Sequence, residues 1–382
     1  MKTIKKISAL LLAVLLLAAL GMSAAAAEAF VYKPVNGDAT SFTFTKFLVL
    51  DKDANVPNAE FEFAIAAGQA ADADPGTSLA ILPGPDADKV VLGKASFGPE
   101  SYDAAAATDI DVADKYDAQT QKYVKKTVTA DFSKVSFPEP GVYRYLLTEV
   151  APTASGFTGD SEPRVLDVYV SDVDGALEVT AYILHEKDEA ITVTADYGSQ
   201  GGELKDKNDG FTNVYTSFDL TISKEVKGNQ ASKDKFFKFT VTIEDTPGNV
   251  LTVDLSNAVE TVPSTPGTNP EYVGKTNPAT LTVGEDGKVQ AEFYLQHSQS
   301  VTIKGLTKDA PYEVVETPED YRPNNPQNAK GTITADTTVA FVNTRDGVIP
   351  TGVMLTVVPG LVIVTLAIAG LFLLGRRKKT QA

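Results

Sequence analysis

Short stretches in which apolar side chains recur with a period near two run through the central part of the chain. Examples are Phe42–Thr45, Val165–Val170 and Phe239–Ile243, which are rich in β-branched and aromatic residues. This period is typical of half-buried β-strands. Asp174-Gly175 and Asp286-Gly287 lie between such stretches and can adopt the positive φ angles that tight hairpin turns require. The pattern therefore predicts an all-β protein.

The strand pattern begins again midway along the chain. Each half contains, in the same order, a lysine at the end of an alternating strand, a Tyr-x-x-x-Glu segment and a closing Phe-x-Asn segment. These are Lys46, Tyr145 to Glu149 and Phe211 to Asn213 in the first half, and Lys224, Tyr312 to Glu316 and Phe341 to Asn343 in the second. The repeat favours two tandem β-sandwiches over a single barrel. We predict domains at residues 28–216 and 217–344.

The two ends of the chain carry targeting features. Residues 1–27 contain three lysines, an apolar run from Ile7 to Leu20 and an Ala-x-Ala site near Ala27. This order is typical of a secretory signal peptide. Residues 353–374 lack charge and are long enough to cross a membrane, and the basic tail at 375–382 is expected on the cytoplasmic side. The sequence therefore predicts an exported body with a membrane anchor.

Composition excludes several classes of function. The chain has 382 residues, a net charge of −16, no cysteine and two histidines. An acidic protein repels phosphate backbones, so no nucleic-acid partner is expected. Asp51 to Glu62 has the length of an EF-hand loop, but Val56 occupies the position that requires glycine. We predict no metal site, no cofactor and no enzyme acting on an external substrate, and we expect His185 and His297 on strand surfaces.

The segment ahead of the membrane anchor resembles a cell-wall sorting signal of Gram-positive bacteria. It reads Val348-Ile349-Pro350-Thr351-Gly352 and precedes the apolar span and the basic tail. Nothing separates Pro350 from Thr351, so the pentapeptide is similar to the x-Val-Pro-Thr-Gly variant of some pilus backbone subunits. The resemblance implies that a sortase cysteine attacks the Thr351 carbonyl and releases Gly352 onward. The sorting signal would then comprise residues 345–382.

The repeated Lys, Glu and Asn could react with one another to form an amide bond. Because side chains alternate along a strand, Lys46 follows Phe42 and Phe44 toward the core, and Lys224 follows Leu220 and Ile222. Burial favours a neutral amine and a protonated carboxylic acid. A neutral amine can attack a carboxamide, and a protonated glutamate on its carbonyl would polarise it. The product is a Lys–Asn amide, and ammonia is released.

These features together resemble streptococcal-type backbone pilins with isopeptide-linked domains. The resemblance implies immunoglobulin-like sandwiches in which the bond joins the first and last strands. It implies one site with Lys46, Asn213 and catalytic Glu149, and another with Lys224, Asn343 and catalytic Glu316. Lys227 and Glu313 are rivals in the second domain, but Lys227 precedes Gly228 and Glu313 lies on the other strand face from Tyr312.

The resemblance also implies a function. The chain would be a major pilin that a sortase joins to neighbouring pilin subunits and finally to peptidoglycan on the cell surface. The lysine that accepts each new subunit lies late in the first domain in this family, where Lys205 and Lys207 are found. The alternative is a monomeric wall-anchored adhesin that binds a host or community ligand.

Overall fold

The computed structural model describes residues 40–70, 80–99, 103–104, 116–152, 154–186 and 210–348. The predicted signal peptide and membrane span lie outside these residues. So do the sortase-site residues Pro350, Thr351 and Gly352, and the candidate acceptors Lys205 and Lys207. Within the described ranges, no helix combines the length and apolarity that a membrane crossing requires.

The described residues between positions 41 and 215 contain the strands of an N-terminal sandwich. The strands are β1 (Ser41–Asp51), β2 (Ala59–Phe61), β3 (Phe63–Ala67), β4 (Ile81–Pro83), β5 (Val91–Leu92), β6 (Ala95–Phe97), β7 (Asp103–Ala104), β8 (Gln121–Asp131), β9 (Gly141–Glu149), β10 (Phe157–Thr158), β11 (Arg164–Val173), β12 (Ala176–Glu186) and β13 (Gly210–Tyr215). One sheet has the order β10-β13-β1-β8-β5, with β7 on β8, and the other has the order β12-β11-β9-β3, with β4 on β9. A small third sheet pairs β2 with β6.

The two large sheets enclose one apolar core. Phe44 of β1 packs edge-on against Phe63 of β3, with ring centroids 4.9 Å apart, and Phe211 of β13 lies 5.4 Å from Phe63. Tyr145 and Leu147 of β9 are fully buried in the same cluster. The strict alternation that the sequence displays in β1 therefore corresponds to one core-facing row of side chains.

Residues 217–344 form a C-terminal sandwich on a similar plan. Its strands are β14 (Ser217–Lys227), β15 (Phe237–Glu244), β16 (Val250–Asp254), β17 (Thr280–Thr282), β18 (Lys288–Leu295), β19 (Ser300–Thr307), β20 (Pro311–Thr317), β21 (Arg322–Pro323), β22 (Lys330–Thr332) and β23 (Thr337–Thr344). They pair in the orders β17-β16-β19-β14-β23-β21 and β18-β15-β20-β22. Three short 3-10 helices connect described strands, at Ala87–Lys89, Pro270–Tyr272 and Gln327–Ala329. The predicted all-β fold is confirmed.

Polar contacts join the two sandwiches. Tyr215, at the end of β13, has its hydroxyl 2.7 Å from Thr307 Oγ1 at the end of β19. Asn55 Nδ2 donates to the Val250 carbonyl at 2.7 Å, and the Asn58 backbone N–H donates to Asn249 Oδ1 at 2.7 Å. Backbone and side-chain groups of the N-terminal sandwich therefore hydrogen-bond to backbone and side-chain groups of the C-terminal one.

Candidate functional site: two buried Lys–Glu–Asn clusters

The first and last strands of each sandwich are parallel neighbours with the same register. In the N-terminal sandwich, Lys46 of β1 is the Cα partner of Phe211 of β13. In the C-terminal sandwich, Lys224 of β14 is the partner of Phe341 of β23. In both, the asparagine follows that phenylalanine by two positions and therefore lies on the same face of the sheet.

The glutamates come from the opposite sheet of each sandwich, and they too occupy equivalent positions in their strands. Glu149 of β9 is the partner of Phe63 of β3, and Glu316 of β20 is the partner of Phe239 of β15. Both carboxylates point into the space between the sheets, where their side chains are at most 3% exposed. Each cluster thus draws its lysine and asparagine from one sheet and its acid from the other.

In the N-terminal sandwich, the three side chains are in mutual contact. Lys46 Nζ lies 2.7 Å from Glu149 Oε2 and donates to Asn213 Oδ1 at 2.6 Å. Asn213 Nδ2 donates to Glu149 Oε1 at 2.6 Å. Lys46 and Asn213 are completely buried. A nucleophile, an electrophile and a carboxylate that touches both are therefore held together away from solvent.

The C-terminal cluster has the same members with one contact fewer. Lys224 Nζ lies 2.6 Å from Glu316 Oε1, and Asn343 Nδ2 donates to the same oxygen at 2.9 Å. Asn343 Oδ1 is buried and has no hydrogen-bond partner among the described residues. The carbonyl oxygens of the two asparagines are thus in different surroundings.

Burial shifts the proton equilibria of these groups. Desolvation lowers the pKa of Lys46 to about 8, although the charge of Glu149 opposes the shift. Desolvation likewise lowers the pKa of Lys224 to about 8 against the charge of Glu316. The pKa of Glu316 is raised, chiefly because burial disfavours its carboxylate. Both lysines are therefore easier to deprotonate than a solvated lysine.

An aromatic ring covers each buried lysine. Lys46 Nζ is 4.7 Å from the centroid of the Phe61 ring, and Lys224 Nζ is 4.4 Å from that of Phe237. These phenylalanines precede Phe63 and Phe239 by two positions. Phe-x-Phe thus recurs at the corresponding place in both halves of the sequence, and no role is assigned to it from the sequence alone. The repeat is the signal from which a ring over each lysine could have been predicted. A ring in this place excludes water and stabilises the ammonium form of the lysine.

The arrangement of atoms suits amide formation but differs in one respect from the sequence-based expectation. We expected the glutamate on the asparagine carbonyl, whereas Glu149 accepts a hydrogen bond from the amide nitrogen. In this position the carboxylate can take a proton from Lys46 Nζ and deliver a proton to Nδ2 as it leaves. Its role in this geometry is proton transfer between two nitrogens.

The rival residues of the C-terminal sandwich lie outside the buried cluster. Lys227 is the last residue of β14, and its side chain is 56% exposed beside Glu225. Glu313 forms an exposed pair with Lys330, with 3.1 Å between the charged atoms. The placement of His185 on a strand surface was wrong, since His185 is 6% exposed and lies 3.6 Å from Asp167 Oδ2.

Sequence reasoning also missed Asp160 and Arg164. The Asp160 backbone N–H donates to Asn213 Oδ1 at 3.1 Å, and the Asp160 carboxylate accepts from Arg164 Nη2 at 2.7 Å. Both residues are buried. Asp160 lies in the loop between β10 and β11, and Arg164 is the first residue of β11, so no periodic pattern could indicate that they face the cluster.

The chain is similar to two protein families and to known proteins of Streptococcus pyogenes. Residues 42–216 match the family described as the Spy0128-like isopeptide containing domain. Residues 218–345 match a domain of unknown function, DUF7601. A Pilin of Streptococcus pyogenes serotype M1 is 23% identical over 269 residues, which are 66% of this chain and 72% of that protein. The Pilus tip adhesin Cpa of Streptococcus pyogenes is 36% identical over 141 residues, which are 35% of this chain and 18% of the adhesin.

Solved structures resemble the chain over about four fifths of its length. A mutant of the major pilin from Streptococcus pyogenes superposes with a TM-score of 0.52 at 21% identity, over 81% of this chain and 100% of that one. The major pilin T3.2 of the same species gives a TM-score of 0.52 at 20% identity, over 81% and 99%. At these identities the superpositions establish a common fold.

Proposed function

Residues 42–216 belong to the Spy0128-like isopeptide-containing domain family, and on that premise we propose that the chain is a structural pilin subunit whose two sandwiches each close with a Lys–Asn amide bond. The observation that carries the proposal is the contact set of Lys46, Glu149 and Asn213, with three distances of 2.6 to 2.7 Å in a solvent-free core. A buried charge is costly even when it is paired, so the burial of Lys46 beside Glu149 calls for an explanation. Amide formation removes that charge.

The proposed reaction uses only groups of the chain. A proton moves from Lys46 Nζ to Glu149, and the neutral amine attacks Asn213 Cγ. The carbonyl then re-forms as the bond from Cγ to Nδ2 breaks, and Nδ2 takes the proton from Glu149 to become ammonia. Glu149 next takes the second proton of the attacking nitrogen and passes it to the ammonia, which leaves as ammonium, so Glu149 ends in its starting state. Lys224, Glu316 and Asn343 would react in the same way in the C-terminal sandwich, where all three side chains are also buried.

The bonds would serve a mechanical purpose. Each joins the first strand of a sandwich to the last, across 167 residues in one case and from Lys224 to Asn343 in the other. A pulling force that enters at one end of a sandwich and leaves at the other is then carried by covalent bonds. The chain has no cysteine, so these amides take the part that disulfides have in other exported proteins.

We further propose that a sortase polymerises the protein and finally links it to peptidoglycan, so that it forms part of a pilus on the cell surface. Asn229 exchanges two hydrogen bonds with the backbone of Gly347, at 2.8 and 3.2 Å. Val348, the next residue, is 89% exposed. The first residue of the pentapeptide 348–352 is therefore accessible, as an enzyme that attacks the peptide chain requires of its substrate.

A wall-anchored adhesin is the second candidate function. The observation in its favour is the 36% identity to the Pilus tip adhesin Cpa, which is higher than the identity to the Pilin. That similarity spans 18% of the adhesin, whereas the Pilin is matched over 72% of its length. The pilin proposal accounts for more of the chain.

An immunoblot of wall material released by muramidase separates the two functions. A sortase-assembled pilin gives a ladder of bands that survives boiling in SDS, because its subunits are joined covalently. A monomeric adhesin gives one band. The single band would refute the proposed polymerisation and leave the internal amide bonds to be tested by mass.

A further inference from the structure

The hydrogen bonds around Asn213 fix which end of its carboxamide is the carbonyl. The Asp160 backbone N–H lies 3.1 Å from Oδ1, and a backbone N–H can only donate. On the other side, Glu149 Oε1 accepts from Nδ2 at 2.6 Å. If Oδ1 and Nδ2 were exchanged, the amide nitrogen would face the Asp160 N–H, and two donors would meet. The neighbouring groups therefore determine the orientation of the carboxamide.

Attack on Asn213 Cγ would move a pair of electrons onto Oδ1 and create an oxyanion. Glu149 cannot stabilise that charge, because its oxygens face the two nitrogens. Lys46 Nζ gives up its present hydrogen bond to Oδ1 when it becomes the attacking atom. The Asp160 N–H is thus the donor that stays on Oδ1 throughout, in a dry site where such a contact has its largest effect.

The loop that presents this N–H is tied to the strand that carries Asn213. Asp160 Oδ2 accepts from the Thr212 backbone N–H at 2.9 Å and from Arg164 Nη2 at 2.7 Å. Arg164 Nε in turn donates to the Gly210 carbonyl at 3.0 Å. Because Gly210 and Thr212 belong to β13, the Asp160 N–H and Asn213 Oδ1 are held in fixed relative positions before the reaction begins.

The C-terminal sandwich offers an internal comparison. Its Asn343 Oδ1 is buried and has no hydrogen-bond partner within the described residues, although Nδ2 binds Glu316 as in the first cluster. The two clusters therefore share their lysine, acid and amide but differ in the donor on the carbonyl.

We infer that the backbone N–H of Asp160 is an oxyanion donor for amide formation at Asn213, and that the C-terminal sandwich carries out the same reaction without one. This inference rests on the proposed function, since it assumes that the Lys46–Asn213 bond forms. It assigns a catalytic contribution to a main-chain group in one sandwich only.

The test compares Asp160→Ala with Asp160→Pro in residues 28–347, which contain every described strand. Alanine removes the carboxylate and keeps the N–H, whereas proline removes both. Gly159 precedes this position and lacks the Cβ that a following proline restricts. The chains are synthesised in vitro, held in urea and diluted to fold. Samples are quenched over time, and both cross-linked peptides are quantified by mass spectrometry after digestion.

The proline variant should form the Lys46–Asn213 bond about 100-fold more slowly than the alanine variant. The Lys224–Asn343 bond should form at one rate in both variants, and it serves as the internal control. Equal Lys46–Asn213 rates in the two variants would overturn the inference. Absence of both bonds in the unaltered chain would instead refute the proposed function, so the two failures are distinguishable.

A spectroscopic measurement decides the matter if the proline variant does not fold. In Lys46→Met/Glu149→Gln, the amide stays unreacted and no buried charge is left unpaired. A scalar coupling between the Asp160 amide nitrogen and Asn213 Cγ, transmitted through the hydrogen bond, is expected in its NMR spectrum. A folded spectrum without this coupling would contradict the inference.

Discussion

Lys46 Nζ lies 2.6 Å from Asn213 Oδ1, although the two residues are 167 positions apart in the sequence. The contact arises because β1 and β13 are parallel neighbours, with Lys46 opposite Phe211. The same relation, with Lys224 opposite Phe341, recurs in the C-terminal sandwich. Such a register brings the two ends of each sandwich together at one buried point, where a single covalent bond would close the whole domain.

Removing one asparagine should destabilise one sandwich strongly. Asn213→Ala keeps the Lys46–Glu149 ion pair but removes the electrophile, so the amide cannot form. The loss of a cross-link that closes a loop of this length costs about 5 kcal/mol. We therefore expect the melting temperature of the N-terminal sandwich to fall by about 10–20 °C, as measured by calorimetry, and Asn343→Ala to act likewise on the C-terminal sandwich.

Asn277→Ala is the matched control for Asn343→Ala. Asn277 is also buried and donates to the Val259 and Tyr294 carbonyls, and no hydrogen bond joins its side chain to a lysine within residues 210–348. Its loss should cost about 1–3 kcal/mol through unsatisfied carbonyls. Equal destabilisation by the two substitutions would mean that no cross-link exists in the C-terminal sandwich.

The rate of amide formation should fall above pH 8. Moving a proton from Lys46 to Glu149 leaves the number of protons bound to the pair unchanged. The rate of amide formation should therefore be level from neutral pH to about 8, the pKa to which burial lowers Lys46. At higher pH the pair loses its proton, so Glu149 has no proton to deliver to Nδ2 until the attacking nitrogen sheds one, and the reaction slows. Folding from urea at a series of pH values, followed by mass spectrometry, measures the profile. Tyrosine fluorescence provides the folding rate as control.

The opposite profile would show that the reaction does not need the proton of the Lys46–Glu149 pair at its start. If a neutral amine alone were sufficient, the rate would rise through pH 8 as Lys46 loses its proton. Lys224 should behave like Lys46, because burial also lowers its pKa to about 8.

The fold was largely predictable from the sequence, and the details of the clusters were not. The period of two in strands such as β1 and β15 led directly to the all-β fold, because burial of one sheet face imposes that period. The contribution of Asp160 was not predictable, because it depends on a main-chain N–H in a loop whose position follows from its contacts with β13. The partner atom of Glu149 was also misjudged, since strand alternation gives the face of a side chain and not the orientation of the amide it meets.

Wall attachment should depend on Thr351. Thr351→Ala should leave the protein in the membrane fraction and absent from muramidase-released wall material, because a sortase has no threonine carbonyl to attack. Thr356→Ala, a few residues further along, changes the same residue type outside the pentapeptide and should leave attachment intact. Wall attachment of the Thr351→Ala protein would show that residues 348–352 are not the sorting signal.

Polymerisation should depend on Lys205 or Lys207. The double variant Lys205→Arg/Lys207→Arg should lose the SDS-resistant ladder while the thermal stability stays unchanged, because arginine keeps the charge but cannot attack the acyl-enzyme. Lys89→Arg, at a lysine that is half exposed beside Asp86, is the control and should retain the ladder. A ladder in the double variant would mean that another lysine accepts the next subunit, and Lys187 and Lys33 would be substituted next.

The mass of the intact protein tests the central claim most directly. Each amide expels one ammonia, so residues 28–347 made in a heterologous host should be lighter than their sequence by about 17 Da for each of the two bonds. Glu149→Ala and Glu316→Ala should each restore one ammonia, because each removes one proton carrier, whereas Glu313→Ala, at the exposed neighbour, should not. A mass equal to that of the unmodified sequence would contradict the account and leave two sandwiches closed only by ion pairs.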